Sequence, residues 1–151
     1  MNSNYLKEEG FSKICEFSPE KILESKYALN SSGIYCLVLN NKFDRLKGKT
    51  DILYIGQSGG RNGRTIFERL RDYVRAYESA PQDKRIFESI LKIKTTKKRI
   101  GSLLHLKVFD RKVFIFTKKV SNKEDCFKTE SELLSRFFED HIELPPFNRR
   151  K

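Results

Sequence analysis

The sequence predicts a mixed α/β domain, and three observations carry that reading. Two short runs rich in Ile, Leu and Val, residues 33–39 and 51–56, have the length of strands and are bounded by turn-forming residues. Two Ser/Thr-x-x-Glu sequences, Thr65-x-x-Glu68 and Ser121-x-x-Glu124, stand ahead of apolar positions at helical spacing, as N-terminal capping boxes do. LLHLKVF (103–109) and KVFIFT (112–117), around Asp110-Arg111-Lys112, add two more strand candidates between the helices.

In chain order, Ser18-Pro19-Glu20 opens a short helix through KILESKYAL. Residues 1–32 form an N-terminal extension expected to pack on a core of residues 33–151, in one globular domain with no low-complexity linker. NNKFDRLKGK reads as a polar hairpin connection between the first two strands, and GQSGGRNGR, with four glycines in nine residues, as a loop. The Thr65 box starts a helix to about Tyr77 with Ile66, Leu70, Tyr73, Val74 and Tyr77 along one stripe. Ser79 and Pro81 start another, with Ile86, Phe87, Ile90 and Leu91 inward. The Ser121 box opens the longest helix, which stops before Pro145-Pro146; its stripe is Phe127, Leu133, Leu134, Phe137, Phe138 and Ile142.

Composition narrows the partners. The 151 residues carry a formal net charge of +11, which favours nucleic acid first and an acidic membrane surface second. Residues 84–99 hold six net positive charges and residues 107–119 four, whereas residues 122–143 hold four net negative charges, so one late helix is acidic in a basic chain. Cys15, Cys36 and Cys126 are scattered, with no C-x-x-C pair, which argues against a disulfide framework or a zinc site and points to a reducing, cytoplasmic setting. No apolar run approaches the length of a membrane span, and the N-terminus lacks an apolar signal core.

The acidic helix holds the anomaly. Glu130 falls three and four residues before Leu133 and Leu134, so it points with the apolar face, while Glu132 lies with Ser135, Arg136 and Glu139 on a solvated one. A carboxylate aimed at a core must be paired, hydrogen-bonded or metal-bound. A buried Glu–Arg pair and a functional carboxylate both satisfy that demand. Arg69 borders the inward stripe of the glycine-flanked helix, where a snorkelling surface arginine is the ordinary reading. Upstream, Gly33-Ile34-Tyr35 and Tyr54-Ile55-Gly56 place a tyrosine and a glycine in mirrored order on neighbouring strands.

Taken in order, GIY, YIG, an Arg followed four residues later by an aromatic (Arg69, Tyr73), a helical Glu, and P-x-x-N (Pro145 to Asn148) make the chain resemble the GIY-YIG nuclease family from Gly33 to Asn148. The resemblance implies a small central three-stranded antiparallel sheet flanked by helices. It also implies DNA phosphodiester hydrolysis with one divalent ion, Mg²⁺ or Mn²⁺. On the matching positions it makes Tyr35 and Tyr54 the paired tyrosines, one of them the general base, Arg69 the phosphate clamp and Tyr73 its aromatic partner. Glu130 becomes the metal ligand, with Glu132 the alternative, and Asn148 braces the site. Gly33 and Gly56 keep the face beside the tyrosines open. Gln57 stands where some members have lysine, and Arg61 or Arg64 would supply that charge instead. Single-domain restriction-type members are the nearest comparison, and a two-strand cutter with one site per chain implies a homodimer.

Further DNA backbone contacts are expected from Lys97, Lys98 and Arg99 in the KIKTTKKR run. His105 reads as structural, and His141 as a favourable charge near a helix C-terminus. Two other functions fit the charge: a catalytically silent nucleic-acid-binding domain of the same fold, and a basic RNA-binding protein.

Overall fold

The computed structural model describes residues 1–59, 63–78, 92, 94–101 and 111–149, without the side chains of Tyr77 and Lys97. The helix expected from Ser79 and the strand expected at 103–109 lie outside the described residues.

Among the described residues, four antiparallel strands form one sheet in the order β1-β4-β2-β3, with helices on both faces. Strand β2 (Gly33–Asp44) and strand β3 (Lys49–Ser58) form the hairpin that holds the two triplets. Both strands run further than their apolar centres suggest, and the connection shrinks to a tight turn in which the Arg45 N–H donates to the Gly48 carbonyl at 3.0 Å. Strand β4 (Val113–Lys119) pairs with the other side of β2. The fourth strand corrects the three-stranded expectation. It is β1 (Ser12–Glu16), supplied by the N-terminal extension and paired with β4. Its five residues leave it without a fully buried position, so it lacks the apolar run by which a strand is recognised.

One face of the sheet packs Tyr35, Leu37, Leu39, Leu53 and Ile115 against helix α4 (Ile66–Glu78), helped by α2 (Pro19–Glu24), α3 (Lys26–Leu29) and α5 (Thr96–Gly101). The other face packs Ile34, Cys36, Val38, Ile52 and Ile55 against α1 (Ser3–Glu8) and α6 (Lys123–His141). The Thr65 box caps α4 reciprocally: the Thr65 N–H donates to Glu68 Oε2 at 2.8 Å and the Glu68 N–H to Thr65 Oγ1 at 3.2 Å. The second box is displaced. Asn122, not Ser121, caps α6, accepting from the Glu124 N–H at 2.8 Å.

The inward face of α6 is Cys126, Leu133, Leu134, Phe137 and His141, whereas Phe127, Phe138 and Ile142, expected inward, are exposed. Ile142 has left the helix altogether, in a left-handed C-cap. Spacings of three or four residues run from Cys126 through Glu130 and Leu133 or Leu134 to Phe137 and His141, which places Glu130 on the sheet-facing side. His141, in the last turn as expected, is buried, its Nδ1 2.8 Å from the Lys47 carbonyl.

Gly33 shows how closely the strands are drawn together. Its φ of +150° suits no other residue, and a Cβ there would lie 2.2 Å from the Lys118 carbonyl oxygen on β4. Because the obstacle is backbone, it cannot swing aside. Gly33→Ala is expected to cost about 3 kcal/mol, combining strain with a clash. That is a fall in Tm of roughly 6–12 °C by differential scanning calorimetry; an unchanged Tm would mean that β2 and β4 are not held at this spacing.

Candidate active site

The register of the hairpin explains the mirrored triplets. Tyr35 lies directly across from Gly56, and Leu37 across from Tyr54. A Cβ on residue 56 would meet Tyr54 Cε1 at 2.5 Å and the Tyr35 hydroxyl at 2.8 Å, so the glycine is what lets the two rings close over the strand. Their centroids are 5.9 Å apart. A one-residue register slip, with Leu37 paired to Tyr54 and Val38 to Ile52, leaves Leu53 as the extra residue of a bulge. Leu53 and Tyr54 consequently both pack toward the α4 side, an instance of a bulge re-aiming a side chain beside a cleft.

Tyr73 comes up from α4, its hydroxyl hydrogen-bonded to that of Tyr35. Arg69, one turn earlier on the same helix, is half-buried beside them, and Glu130 reaches in from α6. Tyr35, Tyr54, Arg69, Tyr73 and Glu130 therefore line a single cavity of about 450 Å³, together with Gln57. Thr95 and Thr96, ahead of and at the start of α5, line it too. Sequence reasoning passed over these two threonines because they sit inside the KIKTTKKR run, where the charges draw attention.

Burial dominates the electrostatics. It holds the phenols of Tyr35 and Tyr54 well above the ordinary tyrosine range, with neighbouring Tyr73 adding to both, and it raises Tyr73 as well. All three are protonated at neutral pH. Burial pushes the Glu130 carboxyl up to about 7, against the downward pull of the Arg69 guanidinium. No ion pair closes on Glu130 among the described residues. Its partner is the cavity, so the buried Glu–Arg bridge is not formed at contact distance. Glu132, by contrast, is exposed on the outer face of α6, 4.0 Å from Lys128.

The C-terminal P-x-x-N segment straps the free edge of β3. The Phe147 N–H donates to the Leu53 carbonyl at 3.0 Å. The Asn148 side-chain amide then takes both backbone groups of Ile55: its Nδ2 donates to the carbonyl at 2.7 Å and its Oδ1 accepts from the N–H at 2.9 Å. Asn148 thus pairs with β3 as a neighbouring strand would and steadies the residue between Tyr54 and Gly56.

The expected basic contacts divide. Arg61 lies outside the described residues, as does the side chain of Lys97. Arg64, just ahead of α4, is engaged by that helix, 2.7 Å from Asp72, and is not among the residues that line the cavity. Arg99 is 1% exposed and holds the Phe147 carbonyl, bracing the strap rather than offering its charge to a ligand. An amphipathic turn of α5 turns Arg99 inward beside Ile100 and leaves Lys98 exposed. Lys92, Lys94 and Lys98 are the exposed cations of this segment among the described side chains.

No family model, curated protein or solved structure matches the chain. Among the described residues, no helix is long and apolar enough to cross a membrane.

Proposed function

We propose that the chain is a metal-dependent DNA endonuclease of restriction type, hydrolysing phosphodiester bonds in the cavity between β2, β3, α4 and α6. The observation that carries this reading is the meeting of two strand tyrosines, one helical arginine and one desolvated carboxylate, from four separate elements, around a single opening. A cation and a carboxylate placed to meet without bridging suit a ligand that carries both an anionic group and a metal.

The donor set fits Mg²⁺. Among the described residues no three His, Cys, Asp or Glu come together. Mg²⁺ needs no such cluster: it is held by one or two carboxylates, with waters and phosphate oxygens completing its shell. Glu130 would hold it, and bound there it would neutralise charge on the leaving oxygen. Arg69 forks onto the non-bridging oxygens of the scissile phosphate. Tyr54 is the tyrosine assigned to the attacking water, since Tyr35 is fully buried. Tyr54 is only partly buried and borders Glu130. Its phenol orients the water by hydrogen bonding and accepts its proton only with cationic charge close by, because burial alone holds the phenol protonated.

The test is supercoiled plasmid incubated with the protein in Mg²⁺ or EDTA. Wild type is expected to nick or linearise it in Mg²⁺ only. Tyr54→Phe is expected to slow cleavage about 100-fold, within the range of general-base effects, and Tyr35→Phe by no more than about tenfold. If wild type binds DNA without cutting it, the silent binding domain is the correct description; equal losses in the two variants would remove the assignment of Tyr54.

A further inference from the structure

The catalytic cavity has a neighbour. A second opening, of about 480 Å³, is lined by Lys94, Thr96, Phe147, Asn148 and Arg149, and it shares Tyr54, Thr96 and Glu130 with the first, which is about 450 Å³. Both volumes lie within the roughly 300–1,000 Å³ typical of small-ligand sites. The two openings meet at the residues where hydrolysis is placed, one carrying Arg69 and the other Lys94 and Arg149.

The walls of the second opening are built rather than incidental. Asn148 and Phe147 are tied to the edge of β3, and buried Arg99 holds the Phe147 carbonyl from beneath. Arg99 Nη2 also donates to Thr96 Oγ1 at 3.3 Å, which occupies a lone pair of that hydroxyl and leaves its proton to point at a ligand. Arg149 lies close enough to Arg99 to depress its pKa further, after burial. Two cations, Lys94 and Arg149, thus line an opening whose one acid among the described residues is Glu130, at the wall shared with the catalytic cavity.

We propose that this second opening is a subsite for the phosphate next to the scissile one, held by Lys94, Arg149 and the Thr96 hydroxyl, so that the bound strand runs from Arg69 past Tyr54 and Glu130 to Arg149. The assignment rests on the nuclease reading for its substrate. Its geometry rests on the cation-lined cavity. A nucleic-acid strand carries one negative charge per nucleotide, so a strand threaded through the first cavity must place its next phosphate one nucleotide away, and the adjoining opening offers the positive charge to receive it.

The experiment measures binding of a fluorescent single-stranded 12-mer by anisotropy in EDTA, across a salt series, for wild type and Lys94→Ala/Arg149→Ala. Lys123→Ala/Lys128→Ala, on the exposed face of α6, controls for net charge. The subsite variant is expected to bind about tenfold more weakly at 0.1 M salt, with a log–log salt slope shallower by roughly 1.5, two phosphate contacts being lost. The control pair should change the slope much less. In parallel, hydrolysis of bis(p-nitrophenyl) phosphate, which has no neighbouring phosphate, should be unaffected by Lys94→Ala/Arg149→Ala. A salt slope equal to that of wild type, or a fall in small-diester hydrolysis as large as the loss of binding, overturns the subsite. If wild type hydrolyses no diester but the salt slope still responds, the nuclease reading fails and the phosphate site stands.

Discussion

Glu130→Gln is expected to abolish Mg²⁺-dependent cleavage, by about 10³-fold or more, and at the same time to stabilise the protein above pH 7. The two effects have one source. Folding takes the Glu130 carboxyl from an ordinary value of 4.5 to about 7 because burial penalises its charge. The unfolded chain releases that proton near pH 4.5 and the folded chain keeps it until about 7. Between those limits the native state binds more protons, so stability falls as pH rises, and the loss is complete above 7. The full gap corresponds to roughly 3 kcal/mol, and solvent reaching the half-buried group reduces this to about 1–2 kcal/mol. Glutamine has no such penalty. Thermal melts between pH 5 and 8 should therefore show a downward trend in wild type that is weaker in the variant. Mg²⁺ should raise the wild-type Tm most above pH 7, where the carboxylate is ionised, and leave the variant unmoved. Cleavage by Glu130→Gln at the wild-type rate, or an identical Mg²⁺ response in both proteins, would remove Glu130 from the metal site. The parallel variant Glu132→Gln should change neither quantity, its side chain being exposed on the other face of α6.

Arg69→Ala should reduce cleavage about 10²–10³-fold, the scale on which single transition-state donors act. Folding should be spared, because Arg69 is half-exposed and makes no ion pair among the described residues. Arg69→Lys is expected to recover only part of the loss, since an ammonium cannot reproduce the planar fork on two phosphate oxygens. A further signature separates this role from a merely structural one. The guanidinium holds down the pKa of Glu130, so its removal should shift the acid limb of the pH–rate profile to higher pH. Single-turnover rates from pH 5.5 to 9 read both effects. A variant that cuts normally, or one that loses rate with no movement of the profile, would contradict a guanidinium sitting between phosphate and carboxylate.

Those residues were visible in the sequence because each breaks a local rule. Glu130 interrupts an apolar stripe, and its position relative to Leu133 and Leu134 follows from helical period alone. The triplets repeat a tyrosine and a glycine where a plain hairpin needs neither. The stripe of α4 likewise shows in its spacing, and its capping box marks where it starts. What misled was composition without geometry. Phe127 and Ile142 are apolar yet exposed, since their angular positions on α6 and the left-handed cap at Ile142 turn them from the sheet. Arg99 looked like a surface charge in a basic run, and one turn of α5 buries it.

By itself, then, the sequence determined the mixed class, the hairpin, both long helices and, Thr95 and Thr96 aside, the residues that line the cavity, because periodicity and capping are local and are written in neighbouring positions. The tertiary structure alone decided the fourth strand, the bulge at Leu53 that turns Tyr54, the strap of Asn148 on Ile55, and the second opening beside Glu130. Each of these depends on which backbone groups find partners far away in the chain. β1 is a strand because it pairs with the edge of β4, and Asn148 is a brace because it takes the Ile55 backbone groups on the side of β3 away from β2. Hydrogen-bond completion across a sheet is a long-range condition, and no short window of residues contains it.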